Sequence, residues 1–75
     1  MVNAFSPKYR VLNQATGNLE MDSNDEMIIV KFTQQHVKSL HSELIVEEYD
    51  DHGNVDKVFR VFWNGAAGKV NFASV

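Results

Sequence analysis

Residues 44–63 constrain the fold of this chain more than any other segment. Two runs rich in β-branched and aromatic residues, at positions 44–49 and 55–63, flank the sequence Asp-Asp-His-Gly-Asn. Such residues favour strands, and a glycine-containing segment between two strand-like runs is typical of an antiparallel hairpin. We therefore predict that this part of the chain forms a β-hairpin.

Charge pairing suggests a register for that hairpin. A two-residue turn at positions 53–54, with glycine first, is typical of a type II′ turn. This turn places Glu47 opposite Arg60, whereas a turn at positions 52–53 places Arg60 opposite Ile45. Each favourable cross-strand pair contributes about 0.2–1 kcal/mol, so the sequence favours the turn at 53–54.

Both faces of the predicted hairpin carry apolar side chains. One face holds Leu44, Val46, Phe59, Val61 and Trp63, and the other holds Ile45, Tyr49, Val58 and Phe62 together with Glu47 and Arg60. A hairpin with one solvated face alternates apolar and polar residues instead. We therefore expect the sheet to curl into a small barrel, or a second copy or another protein to cover the remaining apolar face.

The rest of the chain supplies further short strands and one helix. Residues 9–13 and 19–22 predict a hairpin, residues 27–32 a strand buried on both faces, and residues 70–75 a last strand. Between positions 33 and 43 the apolar residues are Val37 and Leu40, and Leu44 follows. These spacings of three and four are typical of a helix.

The predicted fold is therefore α+β. It has a small antiparallel sheet of about five or six short strands and one short helix near residues 33–43, in a single domain covering residues 1–75. An all-β small barrel is the alternative if residues 33–43 are extended. A domain of this size buries only about 60–65% of the surface of its unfolded chain, which favours self-association.

Composition limits the class of protein. The chain has no cysteine, which excludes disulfides, thiolate metal sites and a cysteine nucleophile. Its longest apolar run, residues 27–30, is far shorter than the roughly 20 residues of a membrane span. No apolar signal-peptide core follows Met1, so we expect a cytoplasmic protein that does not enter a membrane.

Charge is distributed unevenly along the chain. Residues 1–19 carry a net charge of +2, residues 20–56 of −8 and residues 57–75 of +3. If both ends of the chain lie side by side, they form a basic face. The simpler interpretation is that opposite charges pair across neighbouring strands.

Motifs for catalysis, metal or cofactor binding fail on spacing. The Gly-Ala-Ala-Gly-Lys sequence at 65–69 lacks the four-residue gap and the Ser or Thr of a phosphate-binding loop. His36 and His41 are about 140° apart on a helix, and His52 lies in a turn. The acidic loops lack the glycine and terminal glutamate of a calcium-binding loop. We predict no enzymatic activity and no cofactor.

The sequence favours a protein-interaction module, such as an inhibitor, regulator or assembly subunit. It would act through a sheet face or edge and self-associate as a homodimer. Aromatic residues and arginine dominate the energetics of interfaces, and acidic residues steer binding. The candidate partner-binding residues are Tyr49, Arg60 and Phe62 with the acidic residues Glu47, Glu48 and Asp50.

Single-stranded nucleic-acid binding is the alternative function. Aromatic residues with basic neighbours, such as Phe59 and Arg60, are typical of surfaces that stack bases. An acidic chain repels a polyanion, so we rank this function below protein binding. The candidate residues are Lys8, Arg10, Lys57, Arg60 and Lys69.

Overall fold

Five antiparallel strands and one helix build the part of the chain that the structure describes. The computed structural model describes residues 7–75. In chain order its elements are β1 Tyr9–Asn13, β2 Leu19–Ser23, α1 Glu26–Leu40, β3 Leu44–Tyr49, β4 Val55–Asn64 and β5 Lys69–Ser74. The strands lie in the order β2-β1-β3-β4-β5 and form one open sheet. The α+β prediction is confirmed, and the small-barrel alternative is wrong because the two edge strands do not pair.

The first hairpin, β1–β2, forms where the sequence predicts it. Asn13 organises the turn, since its side-chain oxygen accepts hydrogen bonds from the backbone N–H groups of Ala15 and Thr16 at 2.9 and 3.2 Å. Gly17 then adopts a φ of 76°, a left-handed conformation that glycine reaches without steric cost. Its N–H donates to the carbonyl of Asn13 at 2.7 Å and closes the turn.

Helix α1 corrects two predictions. Residues 27–32 are helical, not a strand, and the helix spans Glu26–Leu40 instead of residues 33–43. Asp25 caps its N-terminus, where the carboxylate accepts the Met27 N–H at 2.9 Å. The short apolar run at 27–32 has no periodicity of its own. The N-cap at Asp25 and a stripe of residues buried against the sheet together determine where the helix forms.

That stripe is Ile29, Thr33 and Val37, which repeat every four residues and face the sheet. The fully buried hydroxyl of Thr33 donates to the Ile29 carbonyl at 2.8 Å, so it is satisfied inside the apolar core. On the sheet, the buried residues of the same core are Tyr9, Val11, Leu44, Val46 and Val61.

The β3–β4 register differs from the predicted one. Arg60 lies opposite Ile45 and not opposite Glu47, with a bulge between Glu48 and Tyr49. The connection is a loop at residues 50–54 and not the predicted two-residue turn. From Leu44 to Glu48 the register moves by two residues, so these side chains and their partners keep the predicted faces.

Asp50 explains this longer loop. Its carboxylate accepts the backbone N–H groups of His52 at 2.8 Å and Asn54 at 3.0 Å. Its own N–H donates to the Asn54 carbonyl at 2.9 Å, and Gly53 takes a φ of 80°. These hydrogen bonds stabilise the loop at residues 50–54. The predicted register considers only cross-strand side-chain pairs and therefore favours a shorter turn.

The difference in burial between Leu44 and Leu40 predicts that their substitutions have different effects on stability. Leu44 is 0% exposed and Leu40 is 63% exposed. We expect Leu44→Ala to lower the free energy of unfolding by about 2–5 kcal/mol, because it leaves a cavity. The control Leu40→Ala should change it by less than about 0.5 kcal/mol. Urea denaturation followed by circular dichroism measures both, and equal effects would contradict the assigned core.

Candidate functional site on the open face of the sheet

The side of the sheet opposite α1 has no covering layer within residues 7–75, and we call it the open face. The pairings Arg10 with Glu47, Leu12 with Ile45, and Ile45 with Arg60 place these side chains on it. Ile45 and Leu12 are half-buried by their neighbours. On β1, β3 and β4 the open face comprises Arg10, Leu12, Ile45, Glu47, Tyr49, Val58, Arg60 and Phe62.

One end of the open face is organised by Arg60. Its guanidinium forms a two-point ion pair with Glu43, with both nitrogen–oxygen distances at 3.0 Å. The same guanidinium lies 5.0 Å from the ring centroid of Phe62, within cation–π range. The hydrogen bonds from Arg60 hold the pKa of Glu43 below its ordinary value.

The other end is organised by Tyr49. Its hydroxyl donates a hydrogen bond of 2.6 Å to the carboxylate of Glu47. The guanidinium of Arg10, which lies opposite Glu47 on β1, is 5.4 Å from the Tyr49 ring centroid. The hydrogen bond to Glu47, followed by burial, raises the pKa of the Tyr49 phenol. These three side chains therefore form a connected polar group above the sheet.

Acidic and basic residues of the sequence lie opposite one another on neighbouring strands. The acidic strand β3 lies between β1 and β4. Glu47 faces Arg10 on one side, and Glu48 faces Lys57 on the other. Among residues 7–75, the basic residues of β1 and those near β5 do not meet in one face, because β3 and β4 separate β1 from β5. The ion pair that the structure shows within residues 7–75, Arg60 with Glu43, joins β4 to the residue before β3, so pairing of charges between neighbouring strands stays a prediction.

Four of the six predicted partner-binding residues share the open face, namely Glu47, Tyr49, Arg60 and Phe62. Glu48 lies on the helix side of β3, opposite Lys57. Asp50 lies in the β3–β4 loop. Its carboxylate accepts hydrogen bonds from backbone N–H groups, and these bonds lower its pKa. The role of Asp50 shown by the structure is to hold this loop.

The five residues predicted for nucleic-acid binding are dispersed. Arg10 and Arg60 lie on the open face beside carboxylates, and Lys57 lies opposite Glu48. The ammonium nitrogen of Lys8 lies 5.7 Å from the Tyr9 ring centroid, near the start of the described residues. Lys69 lines a groove beside α1. They do not form a continuous basic patch.

Sequence reasoning missed that groove. Its helical wall consists of residues 31, 34, 35 and 38, whose spacing of three, four and seven places them on one side of a helix. The prediction of a strand at residues 27–32 conceals this helical spacing. With the helix bounds known, the polar stripe is visible in the sequence.

Other classes of site receive no support from the described residues. None of the helical segments in residues 7–75 combines the length and apolar character of a bilayer crossing. The same residues contain no group of three or more His, Asp or Glu side chains arranged to hold a metal ion. In comparisons with known proteins, no family, no curated protein and no solved structure matches the chain.

The Glu43–Arg60 pair predicts a pH-dependent stability. Because folding lowers the pKa of Glu43, the pair stabilises the protein above the ordinary glutamate pKa of 4.5. That contribution is lost as the pH falls through the lower folded-state pKa. Glu43→Gln should therefore be less stable than the parent at pH 7, and the difference should shrink below about pH 4.5.

Thermal denaturation from pH 7 to pH 3 measures this difference. The matched control introduces Glu43→Gln into an Arg60→Gln background, where the pair is already absent. There the substitution should have little effect at any pH. A difference that stays constant from pH 7 to pH 3 in the parent background would refute the assigned ion pair.

Proposed function

We propose that this protein is a non-enzymatic interaction module that self-associates through the open face of its sheet. The supporting observation is the grouping of Glu47, Tyr49, Arg60 and Phe62 on a face that no element of residues 7–75 covers. Aromatic residues and arginine are enriched among the residues that contribute most to binding. The cytoplasmic location expected from the sequence is part of the proposal.

The apolar content of the open face supports a docking role. Ile45, Val58 and Phe62 lie on adjacent central strands, and each stays partly accessible to solvent. A strand pair with a purely solvated face carries polar residues at such positions. Contact with another surface removes this apolar area from water, at about 25 cal/mol per Å².

The charges of the open face favour a second copy as the occupant. Arg10 and Arg60 lie on this face together with the carboxylates of Glu43 and Glu47, and Asp22 of β2 lies opposite Arg10, so cations and carboxylates are mixed there. This mixture neither repels an identical face nor selects a strongly acidic or basic partner. A two-fold axis through such a face brings its cations and carboxylates within reach of those of the other copy.

The size of the open face is adequate for a dimer. Five strands about 4.8 Å apart, with about six residues each at about 3.3 Å, give a footprint on the order of 500 Å² before side-chain relief is included. A standard stable interface buries about 800 Å² of accessible surface per partner. The open face is of that order, so a face-to-face homodimer is geometrically reasonable.

Phe62→Glu tests the proposal. A buried, unpaired carboxylate at the centre of the interface should weaken the dimer at least tenfold. Light scattering coupled to size-exclusion chromatography, and sedimentation equilibrium from 1 to 200 μM, measure the dissociation constant. The control Met27→Glu changes an exposed apolar residue of α1, 61% accessible, and should leave association unchanged.

The outcomes separate the possible interfaces. A parent protein that is monomeric at 200 μM contradicts self-association. A dimer that persists in Phe62→Glu but is lost in Phe72→Glu, a change on the helix side of the outer strand β5, places the interface at that part of β5 and overturns the assignment to the open face. Circular dichroism of each variant checks that the fold is intact.

A further inference from the structure

A basic groove runs between α1 and the β4–β5 hairpin, on the helix side of the sheet. It has a volume of about 720 Å³. We call it the lysine groove. Its wall from α1 consists of Lys31, Gln34, Gln35 and Lys38, and its wall from the hairpin consists of Trp63, Gly68, Lys69 and Val70.

The helical wall is built by the same periodicity that builds the core. Ile29, Thr33 and Val37 face the sheet, and the stripe at 31, 34, 35 and 38 lies on the adjoining side of α1. Lys31 and Lys38 are two turns apart, which separates their Cα atoms by about 10.5 Å along the axis. Core packing therefore fixes the positions from which these long side chains extend.

The charge of the lysine groove is opposite to that of the protein. Three lysines and no carboxylate line it, although the chain has a net charge of −3. In the part of the chain that the structure describes, the ion pair within 4 Å is that of Arg60 with Glu43 and involves none of these lysines. Ammonium groups gathered in a concave surface attract an anion by focusing the local electrostatic potential.

The hairpin wall adds a flat apolar surface. Trp63 and Val70 are cross-strand neighbours on β4 and β5. The imidazole of His41, just after α1, stacks on the indole of Trp63 with 4.4 Å between centroids and 5° between planes. This stack fixes the orientation of the indole at the groove. Gly68, with a φ of 66°, lets the hairpin turn so that Lys69 enters the lining.

We propose that the lysine groove binds a nucleotide, either free or as a unit of a single strand. The phosphate groups pair with the ammonium groups of Lys31, Lys38 and Lys69. The base packs against the wall formed by Trp63 and Val70, since aromatic side chains are surfaces on which bases stack. Gln34 and Gln35 each offer a donor and an acceptor to the polar edge of the base or sugar.

The dimensions agree with this ligand class. Pockets for small ligands and cofactors usually measure about 300–1,000 Å³ and combine apolar walls with a few polar groups. The volume of the lysine groove lies in this range, and Trp63 and Val70 supply an apolar wall beside its polar groups. The inference is independent of the proposed dimer, because the groove lies on the helix side of the sheet.

The experiment uses the full chain and three probes: adenosine triphosphate, a single-stranded oligothymidylate of eight nucleotides, and inorganic tripolyphosphate. Calorimetry measures affinity. Fluorescence of Trp63, which is the only tryptophan of the sequence, reports whether binding occurs at the groove. We expect at least one nucleotide probe to bind at least tenfold more tightly than tripolyphosphate and to change the Trp63 emission.

Charge-neutral variants locate the site. The double variant Lys31→Gln and Lys69→Gln should reduce the affinity for that probe at least tenfold. Lys57→Gln removes one exposed lysine of β4 outside the groove and should change affinity less than twofold. Preference for adenosine triphosphate identifies a free nucleotide as the ligand, and preference for the oligothymidylate identifies a single strand.

Three results would overturn the proposal. One is the absence of binding by either nucleotide probe at 1 mM in 50 mM salt. Another is equal affinity for tripolyphosphate, which shows that charge alone is recognised. The third is loss of binding in Lys57→Gln but not in the double variant, which places the anion outside the lysine groove.

Discussion

The packing of one helix stripe against one side of the sheet determines the rest of this structure. Ile29 and Val37 belong to one buried cluster with Leu44 and Val61, and Thr33 is buried on the same side of the helix. A helix of 15 residues is about 22 Å long and about 10 Å across, so it covers one face of a five-stranded sheet and no more. Within residues 7–75 the opposite face is left without a layer, and the flank of the helix forms one wall of a groove.

The open face tolerates exposure because its charged side chains lie over its apolar ones. Arg60 extends across Phe62 while bound to Glu43, and Arg10 extends across Tyr49. Such side chains shield apolar area with their aliphatic stems and keep their charges in water. Such a face is stable in a single copy and is also suited to contact with another surface. The lysine groove, which is basic, lies on the other side of the sheet.

The strands were predictable because runs of β-branched, aromatic or alternating residues are bounded by segments rich in turn residues. The helix bounds were not, because the run at residues 27–32 is apolar and β-branched, as in a buried strand. Its helical state depends on Asp25, which caps the helix, and on Thr33, a polar residue that becomes a core residue by bonding the Ile29 carbonyl. Single-residue hydrophobicity does not reveal either role.

The predicted β3–β4 register was wrong for a different reason. The expected pairing of Glu47 with Arg60 counted only two strands, whereas Glu47 has Arg10 on the neighbouring β1. Arg60 then reaches Glu43 diagonally. Four predicted site residues still share a face, because a shift by two preserves alternation. The groove required the correct helix and its packing, so the sequence alone did not reveal it.

Nuclear Overhauser contacts between methyl and aromatic protons test the central claim most directly. In a dilute sample, the methyl groups of Val37 should show contacts to Leu44 and Val61 and none to Ile45 or Phe62. Contacts from Val37 to Phe62 would place the helix on the other side of the sheet. That result would contradict both the open face and the lysine groove.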